Sequence, residues 1–300
     1  MYTILGIGEL LWDMLPEGPQ LGGAPANYTV MAGRLGNHAA VVSRIGRDAL
    51  GEQALEVLEP FPVDCGYLQV DSEYPTGQVT VTLEDGQASY KFHQPVAWDF
   101  LELTETWMNA ARRADAVCFG SLAQRSEQSR RTIHALVQAT RPECKRIFDV
   151  NLRTPFYTGE IVRESLQLAS VMKMNDGEVP LVLELLGLPA VDSLREGADR
   201  LLEHFAGLTL VAITRGGEGS LLVGRSEWNE HPGIRIKVAD TIGAGDAFTA
   251  AMTTYLLRGA PLSVLNEAGN RWGSFVASQS GAMPDITPET LHRITKDVEG

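Results

Sequence analysis

Apolar and polar positions repeat along this chain with two different periods, and the changes of period mark its elements. The run TILGIG (3–8) is apolar throughout and ends in glycines, which predicts a first buried strand. Helical spacing follows over 25–35, then an apolar strand at 39–45 and a second helix at 50–59. Residues 66–93 break this rhythm. In QVTVTL, Val79, Val81 and Leu83 fall on one face while Thr80 and Thr82 fall on the other. Asp85-Gly86 is a hairpin signal, and ASYKFH after it puts Ala88, Tyr90 and Phe92 on one face.

Alternation of strand and helix resumes at 115. AVCFGS (116–121), RIFDVN (146–151), VMKMN (171–175) and LTLVAIT (208–214) read as strands. Helices are predicted at 126–140, 160–169, 178–187 and 193–205, and three more helical patterns close the chain. Between them, RGGEGSLLV (215–223) reads as a turn and a further strand. The pattern implies one α/β domain over 1–300: a mainly parallel sheet with helices on both faces, interrupted by a small antiparallel piece. Ligands of such sheets lie at the carboxyl ends of the strands.

Composition narrows the function. The 300 residues carry 38 Asp and Glu against 25 Lys and Arg, a formal charge of −13 with no basic stripe. Nucleic acid and anionic membrane surfaces are therefore excluded as expected partners. Cys65, Cys118 and Cys144 form no CxxC pair, a reduced-compartment pattern. The start lacks a basic, apolar leader, and Glu184 and Pro189 interrupt the most apolar stretch, so a cytoplasmic protein is expected. No GxxxxGK[ST], HExxH or GxSxG string occurs, and Gly6-Ile7-Gly8 lacks the third glycine of a dinucleotide fingerprint. That weakens a nicotinamide dehydrogenase.

The sharpest junction is DTIGAGDAF (240–248). Beyond it Ala244, Ala247, Phe248, Ala251, Met252, Tyr255 and Leu256 recur at helical spacing, so a buried helix begins near Gly243. Glycines at a helix start let backbone N–H groups close on an anion, and the helix dipole adds to the attraction. Asp246 falls in the first turn, where a carboxylate can take a proton from an attacking hydroxyl. Helix physics alone equally allows a dipole-stabilising aspartate.

DTIGAGDAF strongly resembles the second signature of the ribokinase-like (PfkB) carbohydrate kinases, and Leu21-Gly22-Gly23-Ala24-Pro25-Ala26-Asn27 resembles the first. GELLWD (8–13), DVNLR (149–153), NDGE (175–178), TRGGEG (214–219) and GNRWG (269–273) follow the family's order across essentially the whole chain. The resemblance implies a three-layer α/β/α sandwich with a mainly parallel central sheet and a small antiparallel β lid, here about 10–20 and 64–98. It implies ATP-dependent phosphorylation of a primary hydroxyl of a small sugar, with fructose the leading substrate. Its alternatives are 2-keto-3-deoxygluconate kinase, ribokinase or nucleoside kinase, and a catalytically inactive sugar-binding regulator.

By the same resemblance, Asp246 is the base and Gly243, Ala244 and Gly245 form the anion hole. Asp13, Gly22, Gly23 and Asn27 bind the sugar, with Tyr90, Phe92 and Arg153 around it. Asn175, Thr214, Gly216, Gly219 and Asn270 attend the nucleotide. Glu178 organises hydrated Mg²⁺, while Asp240 and Ile242, with the loop 277–282, offer a K⁺ site. A homodimer through the lid is the implied assembly. Plainer readings stand beside these: Asn175 with Glu178 has the spacing of a capping box, Thr214, Gly216 and Gly219 suit a tight turn, and Asn270 suits an interfacial amide. Tyr90 and Phe92 also suit lid packing, and His93 has no assignment. Ketodeoxygluconate kinases are expected to carry Tyr-x-Arg on the lid. The matching string here is Tyr90-Lys91-Phe92, with Lys91 on the opposite face, which favours a neutral ketose.

Overall fold

The structure, a computed structural model, describes residues 1–15, 18–84, 87–296 and 298, and the side chains of these outside 81–90. The chain begins with β1 (Thr3–Ile7), β2 (Leu11–Leu15), β3 (Gly18–Gly22), α1 (Ala24–Arg34), β4 (His38–Gly46) and α2 (Ala49–Leu58). Short strands β5 (Val63–Asp64) and β6 (Leu68–Asp71) precede β7 (Gly77–Glu84), β8 (Gln87–Phe92) and α3 (Glu105–Arg113). Next come β9 (Ala116–Gly120), α4 (Glu127–Gln138), β10 (Lys145–Asp149), α5 (Gly159–Leu168), β11 (Val171–Asn175), α6 (Glu178–Leu186) and α7 (Leu194–His204). The remainder is β12 (Leu210–Thr214), β13 (Ser220–Gly224), β14 (Trp228–His231), α8 (Ala244–Leu257), α9 (Leu262–Ala277) and α10 (Pro288–Thr295).

Among the described residues the large sheet runs β14-β13-β12-β11-β10-β9-β1-β4-β5, with β6 also on β4. Its pairings are parallel except where β13 and β14 turn back at one edge. Alternate side chains explain why its strands are apolar runs. Leu5, Val117, Phe119, Phe148, Met172 and Val211 pack under α3–α7, while Ile4, Cys118, Ile147, Val171 and Ala212 pack against α1, α8 and α9. Helices enter where their sequence supplies caps: the hydroxyls of Thr104, Thr158 and Ser193 accept N–H groups at the starts of α3, α5 and α7.

A second sheet runs β3-β2-β7-β8. Two of its pairings are antiparallel, but β2 lies parallel to β7, so it is not antiparallel throughout. Residues 63–71, expected within this lid, instead run beside β4 in the large sheet. The hairpin residues Asp85 and Gly86 lie outside the described residues. Strands β2, β3 and β14 and helix α3 have no counterpart in the period analysis. The three strands are only four or five residues long, and α3 is a nine-residue helix with only Trp107, Ala110 and Ala111 buried. No described helix is long and apolar enough to cross a membrane.

Candidate active site

The turn before α8 is built by Gly243. Its φ is 75°, and a Cβ there would stand 2.5 Å from the Cβ of Ala282. Only glycine permits both the left-handed backbone and the close approach of the 277–282 loop. Asp240 ties the two segments: it accepts N–H groups from Ile242 at 3.0 Å and Gly281 at 3.2 Å. Among the described residues no hydrogen bond closes on the N–H of Gly243, Gly245 or Asp246, leaving these donors for a ligand. The Ala244 N–H differs from the expectation, because it already points to the Thr241 carbonyl at 3.3 Å.

Asp246, half-buried in the first turn of α8, accepts a hydrogen bond from Asn27 Nδ2 at 2.8 Å. The two signature stretches, 219 positions apart, thus meet side chain to side chain. Asn27 is 4% exposed and its Oδ1 is buried without a partner, an acceptor left over for a hydroxyl. Burial pushes the Asp246 carboxyl up to about 6; the charge of Asp149 adds to the rise, while Asn27, Lys173 and Arg153 restrain it.

Asp13 of β2 is half-buried, and its carboxylate makes no hydrogen bond among the described residues. Its pKa is lifted by burial to about 6, against the pull of Arg153 and with the help of Asp240. Gly22 makes room for it, since a Cβ there would stand 2.7 Å from Asp13 Oδ2. Gly23 brings the start of α1 against the Glu9 carbonyl. Arg153 is exposed, hydrogen-bonds the Leu152 carbonyl at 3.2 Å, and acts electrostatically on Glu9, Asp13 and Asp246 alike. The Phe92 ring, on β8 of the small sheet, meets Phe156 edge-on, centroids 5.5 Å apart. The side chain of Tyr90 lies outside the described residues.

The reciprocal bonds between Asn175 and Glu178 are both made: Glu178 N–H donates to Asn175 Oδ1 at 2.9 Å, and Glu178 Oε2 accepts the Asn175 N–H at 2.8 Å. Glu178 Oε1 accepts the Leu152 N–H at 2.7 Å. Both carboxylate oxygens keep a spare lone pair, a donor set that suits a hydrated hard cation held through water and not an inner-shell contact. Thr214 ends β12, and Gly216 beyond it faces open space. Gly219 has a packing reason, because a Cβ there would strike the His231 carbonyl. Asn270 is 6% exposed, and its Nδ2 is spent on Ser220 Oγ at 2.6 Å and the Asn266 carbonyl at 2.8 Å. These bonds suit the plainer reading of Asn270, an interfacial amide joining α9 to β13.

Sequence reasoning missed Glu9, Asp149, Lys173 and Thr249. Glu9, 3% exposed, has an unpartnered Oε2, and burial lifts its carboxyl to about 7, with Asp246 adding and Arg153 opposing. Lys173 Nζ donates to Asp149 Oδ1 at 3.1 Å. A charged residue inside an apolar strand, as in VMKMN and RIFDVN, was the available signal.

The profile of the pfkB family carbohydrate kinases matches residues 19–289. The uncharacterized sugar kinase PH1459 of Pyrococcus horikoshii is 30% identical, covering 93% of this chain and 91% of its own. Its ATP complex superposes with a TM-score of 0.82 at 28% identity, covering 100% of this chain and 99% of its own. Escherichia coli fructokinase is 31% identical, over 83% of both chains. Vibrio cholerae fructokinase, bound to fructose, ADP and calcium ion, is 26% identical with a TM-score of 0.82, covering 98% of this chain and 99% of its own. The chain belongs to the pfkB family of carbohydrate kinases.

Proposed function

We propose that this carbohydrate kinase is a fructokinase that uses ATP. The observation that carries the reading is the Asn27–Asp246 hydrogen bond beside the open amides of Gly243 and Gly245. A sugar between the small sheet and α8 meets Asp13, the Gly23 backbone and the free Oδ1 of Asn27. Asp246, with a carboxyl near 6, is ionised at neutral pH and accepts the proton of the primary hydroxyl. That oxygen bonds to the γ-phosphorus as the bridge to ADP breaks, and the Gly243 and Gly245 amides stabilise the charge in transit. Asn175, Thr214 and Gly216 lie along the nucleotide. Glu178 would hold hydrated Mg²⁺, which neutralises the phosphates, and Asp240 with the Ile242 region would hold K⁺.

Fructokinases among the relatives support fructose, as does the absence of a lid arginine in Tyr90-Lys91-Phe92. Arg153, with its guanidinium exposed, favours ketodeoxygluconate as the second reading, because one cation alone is compatible with a carboxylate. Three free cysteines support a cytoplasmic setting, and the family resemblance supports a homodimer through the small sheet. A coupled assay over fructose, ketodeoxygluconate, ribose and adenosine tests the substrate: the highest kcat/KM is expected for fructose, and a higher value for any other overturns it. ATP turnover with none of these would favour an inactive regulator.

A further inference from the structure

Beneath the anion hole lies a buried charge cluster that the proposed chemistry leaves unused. Lys173 Nζ stands 3.0 Å from where a Cβ on Gly245 would be, so the ammonium packs directly against the open side of that glycine. Asp149 fixes it from β10 at 3.1 Å. Thr249 Oγ1 lies 3.0 Å from Asp149 Oδ2 and 2.9 Å from the Gly245 carbonyl, its single proton serving one at a time. The first turn of α8 is thereby tied to the end of β10 and the middle of β11. Lys173 is 8% and Asp149 4% exposed, so little water screens this arrangement.

We propose that Lys173 is a positioning residue that keeps Asp246 ionised and holds the Gly245 turn, with Asp149 as its anchor. This rests on Asp246 as the base. Burial disfavours both the Asp246 carboxylate and the Lys173 ammonium. Asp149, Glu178 and Asp246 outweigh burial at Lys173 and hold it above the ordinary lysine range. The groups acting on Asp246 come from every side: Asn27 on α1, Glu9 after β1, Cys118 on β9, Asp149 on β10, Arg153 in the loop beyond it and Lys173 on β11. Asp149 and Lys173 act in opposite directions. Without Lys173 the base faces Asp149 uncompensated and keeps its proton to higher pH; without Asp149 it releases the proton more readily. The cation also adds positive potential behind the Gly245 amide, where the transferred group is negative.

The acid limb of the kcat/KM–pH profile reads this directly, on full-length Lys173→Met, Asp149→Asn, Lys173→Arg and Asp246→Asn. The limb should move up by about one pH unit in Lys173→Met and down by up to about one unit in Asp149→Asn. Lys173→Arg should leave it in place. A purely structural pair would lower the unfolding midpoint in both variants and shift neither limb, and that result overturns the proposal. Where Lys173→Met does not fold, Lys173→Met/Asp149→Asn replaces it. Its limb should return close to that of the parent, and a limb coinciding with that of Asp149→Asn overturns the proposal. Asp246→Asn separates the two levels. If it retains turnover the base assignment fails, whereas an inactive Asp246→Asn beside unmoved limbs removes only the role of Lys173.

Discussion

In the large sheet, β1, β9 and β10 bury both faces, and Ile4, Phe119 and Phe148 are all within 1% of complete burial. In the small sheet, the paired Trp12 and Leu21 share a buried face, while Asp13, Gln20, Val79 and Phe92 form one row on the other face, where all but Val79 stay partly open. A strand covered on both sides has no freedom to choose which residues are apolar, so a charge within it, such as Asp149 or Lys173, must be paired. A sheet covered on one side leaves every second position free for a ligand. The candidate site draws on both: the strands under α8 fix Asp149 and Lys173, and the small sheet carries Asp13.

Breaking the chemical side of this division gives the largest effect. Asp246→Asn keeps the shape of the cluster but cannot take a proton, so kcat should fall about 10²–10⁴-fold with both KM values nearly unchanged. Steady-state kinetics with an unfolding midpoint check this. A folded variant keeping more than about a tenth of parental kcat contradicts the base assignment.

The two sheets should also separate in stability. Phe148→Ala, in the doubly covered sheet, should cost about 3–5 kcal/mol in denaturant unfolding. Phe92→Ala, in the small sheet, half-buried and edge-on to Phe156, should cost far less and act mainly through the sugar KM. Equal destabilisation by both would erase the distinction.

A third measurement concerns pH. Glu9, Asp13 and Asp246 all have carboxyls raised by burial, to about 7, about 6 and about 6. A raised folded pKa contributes stability in full below the unfolded value, and that contribution is lost as pH rises through the folded one. These three groups therefore favour the fold near pH 4 and oppose it above pH 7. Glu9→Gln removes one of these penalties and should stabilise the protein at pH 8 by about 1–3 kcal/mol, with a smaller gain at pH 5. Thermal unfolding at both values tests it; a larger gain at pH 5 would reverse the sign. Catalysis runs the other way, since turnover should fall as pH drops through about 6 and Asp246 protonates.

The smallest effect is expected where the 277–282 loop braces α8. If Asp240 and that loop hold K⁺, exchanging K⁺ for Na⁺ or a bulky organic cation at matched ionic strength should slow turnover several-fold through the orientation of the Gly243 and Gly245 amides. Equal rates in all three salts would remove the cation from the account.

How far the fold was legible depended on burial. Strands such as AVCFGS and LTLVAIT and the helix after Gly243 declared themselves because covered elements must be apolar with a fixed period. The family resemblance of the motif strings pointed to Asp246, Asn27 and Asp13, and the structure brings Asn27 against Asp246. β2, β3 and α3 escaped because they are short. The sequence by itself determined the layered sheet, the acidic chain without a basic stripe, and the helix start that carries Asp246. Tertiary structure alone decided that Asn27 reaches Asp246, that Asn270 is spent inside the protein, and that Lys173 lies under Gly245. Those are contacts between segments far apart in the chain, and periodicity reports only which face of an element is covered, not which side chain covers it.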